Sequence, residues 1–223
     1  GQIECWGRNN HGQTNAPDGV FQEVTTSYWH SCGLRADNTV TCWGDNEFEQ
    51  SNDPEGQFTM VTAGYMHTCA LSTDGEATCW GLDDRRIQAP EGPFLDLNAG
   101  WYHTCARRMD QSMVCWGMNS DGQSDDQMGL FAVVSSGGLH SCSIDLDNNL
   151  DCWGSNQFEQ AAPIIDTAKY VSAGVDHTCA IDLENNGVCW GKNDKGQSNV
   201  DSITESLRDI SAGLDHSCAI TED

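Results

Sequence analysis

The stretch His67–Gly81 reads HTCALSTDGEATCWG, and the copies of this stretch decide the fold. Its two markers, a His-x-Cys triplet and a Cys-Trp-Gly triplet, each occur six times at intervals of 36 to 39 residues. The Cys-Trp-Gly copies begin at Cys5, Cys42, Cys79, Cys115, Cys152 and Cys189, and the His-x-Cys copies begin at His30, His67, His103, His140, His177 and His216. A fixed period of this length is typical of repeat architectures. Because six copies account for all 223 residues, we expect a single domain over residues 1–223.

One of the six copies is divided between the two ends of the chain. The segment His216–Asp223 supplies its first half, and the segment Gly1–Gly7 supplies its second half. Joined in that order, the two segments match His67–Gly81 in length and pattern. We therefore expect a ring that is closed by N- and C-terminal strands sharing one blade, with the chain break inside a hairpin turn.

Each copy has the pattern of short strands separated by turns. Segments such as Phe58–Ala63 show the period of two that is typical of strands, and no stretch has a sustained helical period. Asp74-Gly75 provides a residue that tolerates the left-handed backbone of a short hairpin loop, whereas Gln111 departs from this rule and predicts a different or strained turn. Four strands in a unit of about 40 residues describe a propeller blade. The expected fold is all-β, a six-bladed β-propeller of four-stranded blades.

The cysteines predict which strands pair. In every uninterrupted copy two cysteines lie ten residues apart with the turn between them, so they face each other across a hairpin within reach of a disulfide. The expected bridges are Cys32 to Cys42, Cys69 to Cys79, Cys105 to Cys115, Cys142 to Cys152, Cys179 to Cys189 and, across the chain ends, Cys5 to Cys218. On the chain-entropy model, the last bridge contributes most, about 5 kcal/mol, because it closes nearly the whole chain. Bridges in this number indicate an oxidising compartment, and zinc binding is disfavoured because closely spaced cysteine knuckles are missing.

The charge and hydropathy of the chain exclude some classes of partner. With 10 basic and 34 acidic residues the net charge is −24, so the protein field repels the phosphates of nucleic acid. The acidity itself is interpreted as an aid to solubility or an adaptation to salt or divalent cations, with a specific basic ligand as the alternative. The sequence contains no apolar run of 18 residues, so it predicts no membrane span. Because the chain begins with Gly1 and has no signal peptide, we interpret it as a mature or excised product.

Several motifs together resemble a known repeat. AGYMHTCAL at Ala63–Leu71, Asp74-Gly75, Cys79-Trp80-Gly81 and GMNSDGQ at Gly117–Gln123 are similar to the repeat of the regulator of chromosome condensation family. The resemblance covers all six copies and implies a propeller of four-stranded blades whose ring is closed by both termini. It also implies a secreted subset of the family, marked by the cysteine pairs. The nucleotide exchange and nucleosome binding of the founding member do not carry over, because they depend on loops and a basic tail that this sequence lacks.

Residues that recur in every copy are interpreted as structural. The six repeat histidines are expected to pack or to bond to the neighbouring blade rather than to form a catalytic or metal-binding ring, and the Trp-Gly tryptophans are expected to fill space between blades. The same structural role is expected for Asn9, Asn46, Asn119, Asn156, Asn193, Gln13, Gln50, Gln123, Gln160 and Gln197, as turn and inter-blade hydrogen bonders. Asp83 replaces asparagine in one copy, but the ligand spacing of a calcium-binding loop is absent.

Function is expected where the copies differ. The two residues before each repeat histidine are Tyr28-Trp29, Tyr65-Met66, Trp101-Tyr102, Gly138-Leu139, Val175-Asp176 and Leu214-Asp215. The first three pairs are bulky, and equivalent positions in a ring lie at equivalent heights, so these six side chains predict one ligand-binding arc. The alternative is that they pack under neighbouring loops. Four arginines, Arg85, Arg86, Arg107 and Arg108, are interpreted either as a polar rim of this arc or as solvated surface charge.

The sequence therefore predicts a secreted, non-enzymatic recognition module that binds an extracellular protein through an aromatic arc. A carbohydrate-binding lectin is the first alternative, because aromatic rings also stack on sugars. A structural subunit of an extracellular assembly is the second alternative, and a monomer is favoured over a domain-swapped oligomer. The sequence contains neither a nucleophile elbow nor a zinc motif that would predict catalysis, so no catalytic residue, metal or cofactor is assigned.

Overall fold

A computed structural model describes residues 1–200 and 205–222 and shows an all-β chain. The first nine strands are β1 Phe21–Thr26, β2 His30–Arg35, β3 Val40–Gly44, β4 Phe58–Ala63, β5 His67–Ser72, β6 Ala77–Gly81, β7 Phe94–Ala99, β8 His103–Arg108 and β9 Met113–Gly117. The others are β10 Phe131–Ser136, β11 His140–Asp145, β12 Leu150–Gly154, β13 Tyr170–Ala173, β14 His177–Ile181, β15 Gly187–Gly191, β16 Leu207–Ala212 and β17 Ser217–Thr221. A single turn of 3₁₀ helix, Arg85–Ile87, is the one helix among the described residues, and it is far too short to cross a membrane.

The strands form six antiparallel sheets, one for each repeat. Five sheets have three strands, in the orders β1-β2-β3, β4-β5-β6, β7-β8-β9, β10-β11-β12 and β13-β14-β15, and the sixth has the two strands β16-β17. Four strands per sheet were expected from the sequence, and the described residues do not contain the fourth. After β3, for example, the chain forms turns in which side chains replace ladder bonds: Oδ1 of Asn46 accepts from the backbone N–H of Ser51, and Oε1 of Gln50 accepts from that of Phe48. The repeated Asn and Gln residues therefore act as turn bonders, as expected.

The hairpin turns adopt the expected left-handed backbone. The φ angle is +68° at Asn38 and Asn148, +72° at Asn185 and +83° at Gly75. Gln111 has a φ of +69°, so its turn has the same form as the others rather than a different one. The turn is set by the pairing of its two strands, and the glutamine adopts a conformation that side chains of its type seldom occupy.

The hairpin disulfides form as the sequence predicts. Cys32–Cys42, Cys69–Cys79, Cys142–Cys152 and Cys179–Cys189 are bonded, and Cys105 and Cys115 are also in disulfide linkage. The expected bridge between Cys5 and Cys218 is not formed, because both residues are free thiols. The other pairs face each other directly in a strand ladder, whereas Gly1–Gly7 forms no strand and β17 pairs only with β16 among the described residues.

Close contacts divide the chain into two compact units. The first unit contains Gly1–Met109 and Trp116–Met118, and the second contains Asp110–Cys115 and Asn119–Asp223. The N-terminal residue is built into the first unit, since the carbonyl oxygen of Gly1 accepts from the N–H of Phe21 at 2.8 Å. The carbonyl oxygen of Gly75, the turn residue to which the sequence aligns Gly1, accepts from the N–H of Phe94 at the same distance. Gly1 thus occupies the position of a hairpin-turn residue relative to the strand that follows it.

Candidate aromatic recognition site

The repeat histidines connect successive repeats inside each unit. Nε2 of His30 lies 2.8 Å from Oγ1 of Thr68, and Nε2 of His140 lies 2.7 Å from Oγ1 of Thr178. The Thr68 hydroxyl donates its hydrogen to the carbonyl oxygen of Gln50 at 2.8 Å. Because a hydroxyl has one hydrogen to donate, Nε2 of His30 carries the proton in the bond between the two side chains.

Burial makes these histidines poor candidates for proton transfer. Burial lowers the pKa of His30 to about 4 and that of His67 to about 3. His103 is also fully buried, and burial lowers its pKa to about 3. Rings that stay neutral at physiological pH and bond to a neighbouring hydroxyl have a structural role, as the sequence indicated.

The aromatic residues of the first three repeats form one continuous cluster in the first unit. The ring centroids of Tyr28 and Trp29 are 4.4 Å apart, and those of Tyr28 and Tyr65 are 5.8 Å apart. Tyr65 then contacts Trp101 at 5.2 Å and Tyr102 at 5.6 Å. These separations lie in the range of favourable aromatic pairs. We call these five residues together with Met66 the aromatic arc; each of the six is half-buried.

The turns between first and second strands place the arc. In the second repeat, the N–H of Gly64 bonds to the carbonyl oxygen of His67, which closes the turn that carries Tyr65 and Met66. The N–H of Tyr65 then donates to the carbonyl oxygen of Trp101 at 3.1 Å, so the turns of adjacent repeats are tied together. The backbone therefore sets the spacing of the rings. Met66 shares the turn but has no ring, and its carbonyl oxygen accepts from the N–H of Leu82.

An arginine that the sequence analysis did not select borders the arc. The guanidinium of Arg8 lies 4.8 Å from the ring centre of Trp29 and 5.7 Å from that of Tyr28, and it donates to the hydroxyl of Tyr28. Its side chain is exposed. Nδ1 of His11 lies 3.0 Å from a carboxylate oxygen of Asp45, and its ring centre lies 4.5 Å from that of Trp29. Arg8 and His11 thus extend the site beyond the six residues selected from the sequence.

The four arginines that the sequence assigns either to a polar rim or to solvated surface charge do not form one group. Arg86 is buried, with its guanidinium 5.2 Å from the ring centre of Tyr102 and its Nε 2.9 Å from a carboxylate oxygen of Asp84. It occupies the repeat position that is glutamine in the other copies, and its carbonyl oxygen accepts from the indole N–H of Trp116. Arg85 is exposed.

The other two arginines lie at the far end of β8. Nε of Arg107 is 2.9 Å from a carboxylate oxygen of Asp96, and Nη1 of Arg108 is 2.9 Å from the carbonyl oxygen of Glu91. The sequence assigns these residues to the same repeat as Arg86. The length of β8 separates them from the turn that precedes His103, whereas Arg86 contacts the arc ring of Tyr102.

A second set of variable positions follows each Trp-Gly pair. In the five uninterrupted copies, the residue after Trp-Gly donates its N–H to the carbonyl oxygen of the residue before a repeat histidine, as Asp45 does to Trp29 and Met118 to Tyr102. Variation at these positions is visible in the sequence as Arg8, Asp45, Leu82, Met118, Ser155 and Lys192. Comparing the copies position by position therefore provides the signal that identifies Arg8.

The equivalent turns of the second unit carry a different surface. Gly138 is buried, Leu139 and Val175 are half-buried, and none of them is aromatic. Asp176 pairs with Lys192, whose Nζ is 3.1 Å from its carboxylate oxygen. The hydrogen bond from Lys192 to Asp176 and the negative charge of that carboxylate raise the pKa of Lys192. The second unit thus has a small charged patch where the first has rings.

The repeats match a family model along most of their length. The model for the regulator of chromosome condensation (RCC1) repeat matches residues 21–50, 59–86, 94–123, 131–160 and 168–197. These matches cover more than half of the chain. The chain belongs to the regulator of chromosome condensation repeat family. The copy that is divided between the two chain ends lies outside the matched segments.

Solved structures share this family fold. The CRINKLY WD40 ectodomain of the Arabidopsis thaliana receptor kinase ACR4 superposes with a TM-score of 0.80 and 24% identity, over 99% of this chain and 84% of that one. The ectodomain of the Physcomitrella patens receptor kinase CR4 gives 0.80 and 22% identity, over 99% of this chain and 63% of that one.

A further solved structure is Prp20p of Saccharomyces cerevisiae, described with its binding to Gsp1p and histones. It gives a TM-score of 0.75 and 16% identity, over 89% of this chain and 69% of that one. Comparison with curated sequences gives no significant match. At these identities the solved structures establish the repeat fold alone.

Proposed function

We propose that this chain is an extracellular, non-enzymatic recognition module that binds a protein partner through the aromatic arc. The continuous ring contacts from Trp29 to Tyr102 support the proposal most directly. Tyrosine and tryptophan dominate the residues at which protein interfaces lose most energy on truncation. The rings are held by one another and by the tied turns, so binding orders few side chains and costs little conformational entropy.

The cysteines support an extracellular location. Ten cysteines are disulfide-bonded, two in each of the five uninterrupted repeats. Bridges in such number persist in oxidising environments and are rare in reducing ones. This distribution supports a secreted or otherwise extracellular module.

We further propose that residues 1–223 form one six-bladed propeller domain. Five sheets repeat the same three-strand order and the sixth has the first two strands of that order, and the cysteine-to-cysteine hairpin register recurs in both units, as a ring of equivalent blades requires. The bond from Phe21 to Gly1 supports the proposal that Gly1–Gly7 follows the hairpin turn of the divided repeat, although it forms no strand there. Small-angle scattering of the purified chain tests the compact ring, and an elongated envelope would contradict it.

The protein-binding role is tested by comparing tryptophans inside and outside the arc. Immobilised protein is incubated with extracellular fluid of the source, and retained proteins are identified by mass spectrometry. Trp101→Ala removes an arc ring, whereas Trp6→Ala removes a ring that is 87% exposed and outside the arc. We expect Trp101→Ala to lose the retained partners, because it weakens their affinity about thirtyfold. Trp6→Ala should keep them.

Two results would contradict this assignment. Retention of the same partners by Trp101→Ala and Trp29→Ala would show that the arc packs the fold and does not bind. A response on a glycan array that depends on Trp101, without a retained protein, would show a lectin instead. Thermal unfolding of each variant shows that a lost partner does not reflect a lost fold.

A further inference from the structure

The fourth sheet carries an open pocket far along the sequence from the arc residues. It lies between the chain entering β10 and the turn that joins β11 to β12, and has a volume of about 620 Å³. Phe131, Met128 and Leu146 supply its apolar lining, and Asp145 and Asp151 supply carboxylates. The side chain of Met128 is 99% exposed. All of these residues belong to the second unit, and none of them is an arc residue.

The same place in the first sheet is filled by an arginine of the chain itself. Phe21 pairs with Arg35 in the β1–β2 ladder, and the guanidinium of Arg35 lies 4.7 Å from the centre of the Phe21 ring. Its Nη1 donates to the carbonyl oxygen of Asp18, three residues before the phenylalanine, at 3.2 Å. Its Nε donates to the hydroxyl of Thr41 at 2.8 Å. The site therefore offers a guanidinium one aromatic ring, one carbonyl oxygen and one side-chain oxygen.

The third sheet repeats this arrangement. Phe94 pairs with Arg108, whose guanidinium lies 5.3 Å from the ring centre. Nη1 of Arg108 donates to the carbonyl oxygen of Glu91, again three residues before the phenylalanine, at 2.9 Å. Two independent copies thus show that this part of the repeat accommodates an arginine side chain.

The fourth sheet has the same walls without the arginine. Phe131 pairs with Asp145 at the register position of Phe21 and Arg35. Met128 is the residue three before the phenylalanine, and Asp151 occupies the position of Thr41. A neutral hydroxyl is thereby replaced by a carboxylate, and a positive side chain by a negative one. The change removes the internal arginine from the site and gives the site the negative charge that a guanidinium from outside requires.

We propose that this pocket binds an arginine side chain from a segment of a partner protein. The guanidinium lies against Phe131 and between the carboxylates of Asp145 and Asp151, and apolar neighbours of the arginine contact Met128 and Leu146. The net charge of −24 attracts such a basic segment over distance. Arginine suits the pocket better than lysine because its planar group stacks on a ring and bonds to carboxylates with two N–H groups at once.

The other sheets do not offer this combination. In the second sheet Phe58 faces Ser72, so the register position carries neither an arginine nor a carboxylate. In the fifth sheet an aspartate, Asp182, follows β14, but Ala168 stands in the place of the phenylalanine. An aromatic ring with an opposing carboxylate is thus confined to the fourth repeat among these described positions.

The test measures binding of a short fluorescein-labelled peptide with a central arginine between two leucines. Fluorescence anisotropy with the whole chain is compared with that for peptides carrying lysine or citrulline instead. We expect the arginine peptide to bind about tenfold more tightly than the lysine peptide, and more weakly as salt increases. Free arginine in excess should displace the peptide.

Asp145→Arg should close the pocket from within, as Arg35 and Arg108 do in their own sheets, and weaken binding at least about tenfold. The matched control is Asp182→Arg, which changes the net charge equally. Both aspartates accept two backbone N–H bonds in the following turn, from Asp147 and Asn149 and from Glu184 and Asn186 respectively. Asp182→Arg should therefore leave peptide binding within about twofold.

A third variant guards against a change in folding. Asp151→Asn keeps the oxygen that accepts from the N–H of Cys152 and removes only the charge, so it should weaken peptide binding several-fold. Equal binding of arginine and lysine peptides, unaffected by Asp145→Arg, would show general attraction to an acidic surface and overturn the proposal. So would an absence of binding at millimolar peptide.

Discussion

The two units share their buried residues and differ at their turns. In the first unit Nε2 of His67 bonds to Thr104 at 2.9 Å, and in the second unit Nε2 of His140 bonds to Thr178 at 2.7 Å. At the preceding turns the first unit carries Tyr65 and the second carries Gly138. The interior is constant and the surface varies. The repeat therefore positions the turn residues, and the residues that differ between copies determine binding specificity.

The backbone explains why the rings end where they do. The N–H of Tyr65 bonds to the next turn at 3.1 Å, and the N–H of Gly138 bonds to the carbonyl oxygen of Gly174 at 3.0 Å. A Cβ atom on Gly138 would lie 2.6 Å from the carbonyl oxygen of Val175, which is closer than real Cβ atoms approach. The turn before His140 therefore has no room for a side chain at this position, whereas the turn before His177 carries Val175 there.

Removing one hairpin disulfide from each unit should have the largest effect. A bridge that closes about ten residues contributes roughly 2.7 kcal/mol on the chain-entropy model. Cys69→Ala with Cys79→Ala, and Cys179→Ala with Cys189→Ala, should therefore destabilise the protein by similar amounts in urea unfolding. A much smaller loss in one unit would show that the interiors are not equivalent.

The free thiols provide the control for this comparison. Cys5→Ser and Cys218→Ser remove no bond that the structure contains, so we expect little change in the unfolding midpoint. A loss of stability from Cys5→Ser that exceeds the loss from a hairpin pair would show that the two thiols are oxidised to a bridge in solution.

His67 and His177 should contribute differently to the loss of stability at acid pH. Burial lowers the pKa of His67 from 6.5 to about 3, so the unfolded chain takes up a proton first and stability is lost as the pH falls from 6.5 towards 3. At pH 5 the loss is about 2 kcal/mol. Burial also lowers the pKa of His177, but Asp176 and Asp215 oppose the shift.

The measurement is thermal unfolding at pH 7 and pH 5. His67→Gln should be less stable at pH 7, and its stability should fall less towards pH 5, because glutamine has no proton to gain. His177→Gln should reduce the pH dependence by a smaller amount. Equal pH dependence in the wild type and His67→Gln would contradict the assignment of a neutral buried ring.

Removing one exposed cation from each unit should have the smallest effect. The contact of Arg8 with Trp29 and the ion pair of Lys192 with Asp176 are both accessible to water, so losing either one should change the unfolding midpoint very little. Arg8→Ala should nevertheless weaken binding of the arc partner, and Lys192→Ala should not. Similar binding losses in both variants would remove the functional distinction between the two faces.

The sequence predicts the parts of the fold that depend on local pairing. Spacing fixed the register of Cys142 against Cys152, and the turn residues fixed the left-handed position at Asn148. The expected fourth strand is not confirmed for the described residues, where side chains such as Asn46 satisfy the backbone in turns. Side-chain bonds of that kind leave no period of two in a sequence.

The site was predicted less completely than the fold. The contacts between Tyr28, Tyr65 and Trp101 follow from equivalent turns, so the copies alone indicated them. Arg8 lies on a different segment, and its place over Trp29 depends on how that segment packs. The burial of Arg86 depends on its replacing a buried glutamine, which a reading of charge alone treats as surface.

The bond between a histidine and the next hydroxyl has a consequence for protein engineering. His140 uses the threonine Thr178, and His177 uses the serine Ser217, so the joint accepts either hydroxyl. Because this contact between repeats needs only an imidazole on one side and a hydroxyl on the other, one repeat can replace another. Turn residues from one copy can then be transplanted to another, wherever the recipient backbone has room for a Cβ atom, to build new binding faces on an unchanged frame.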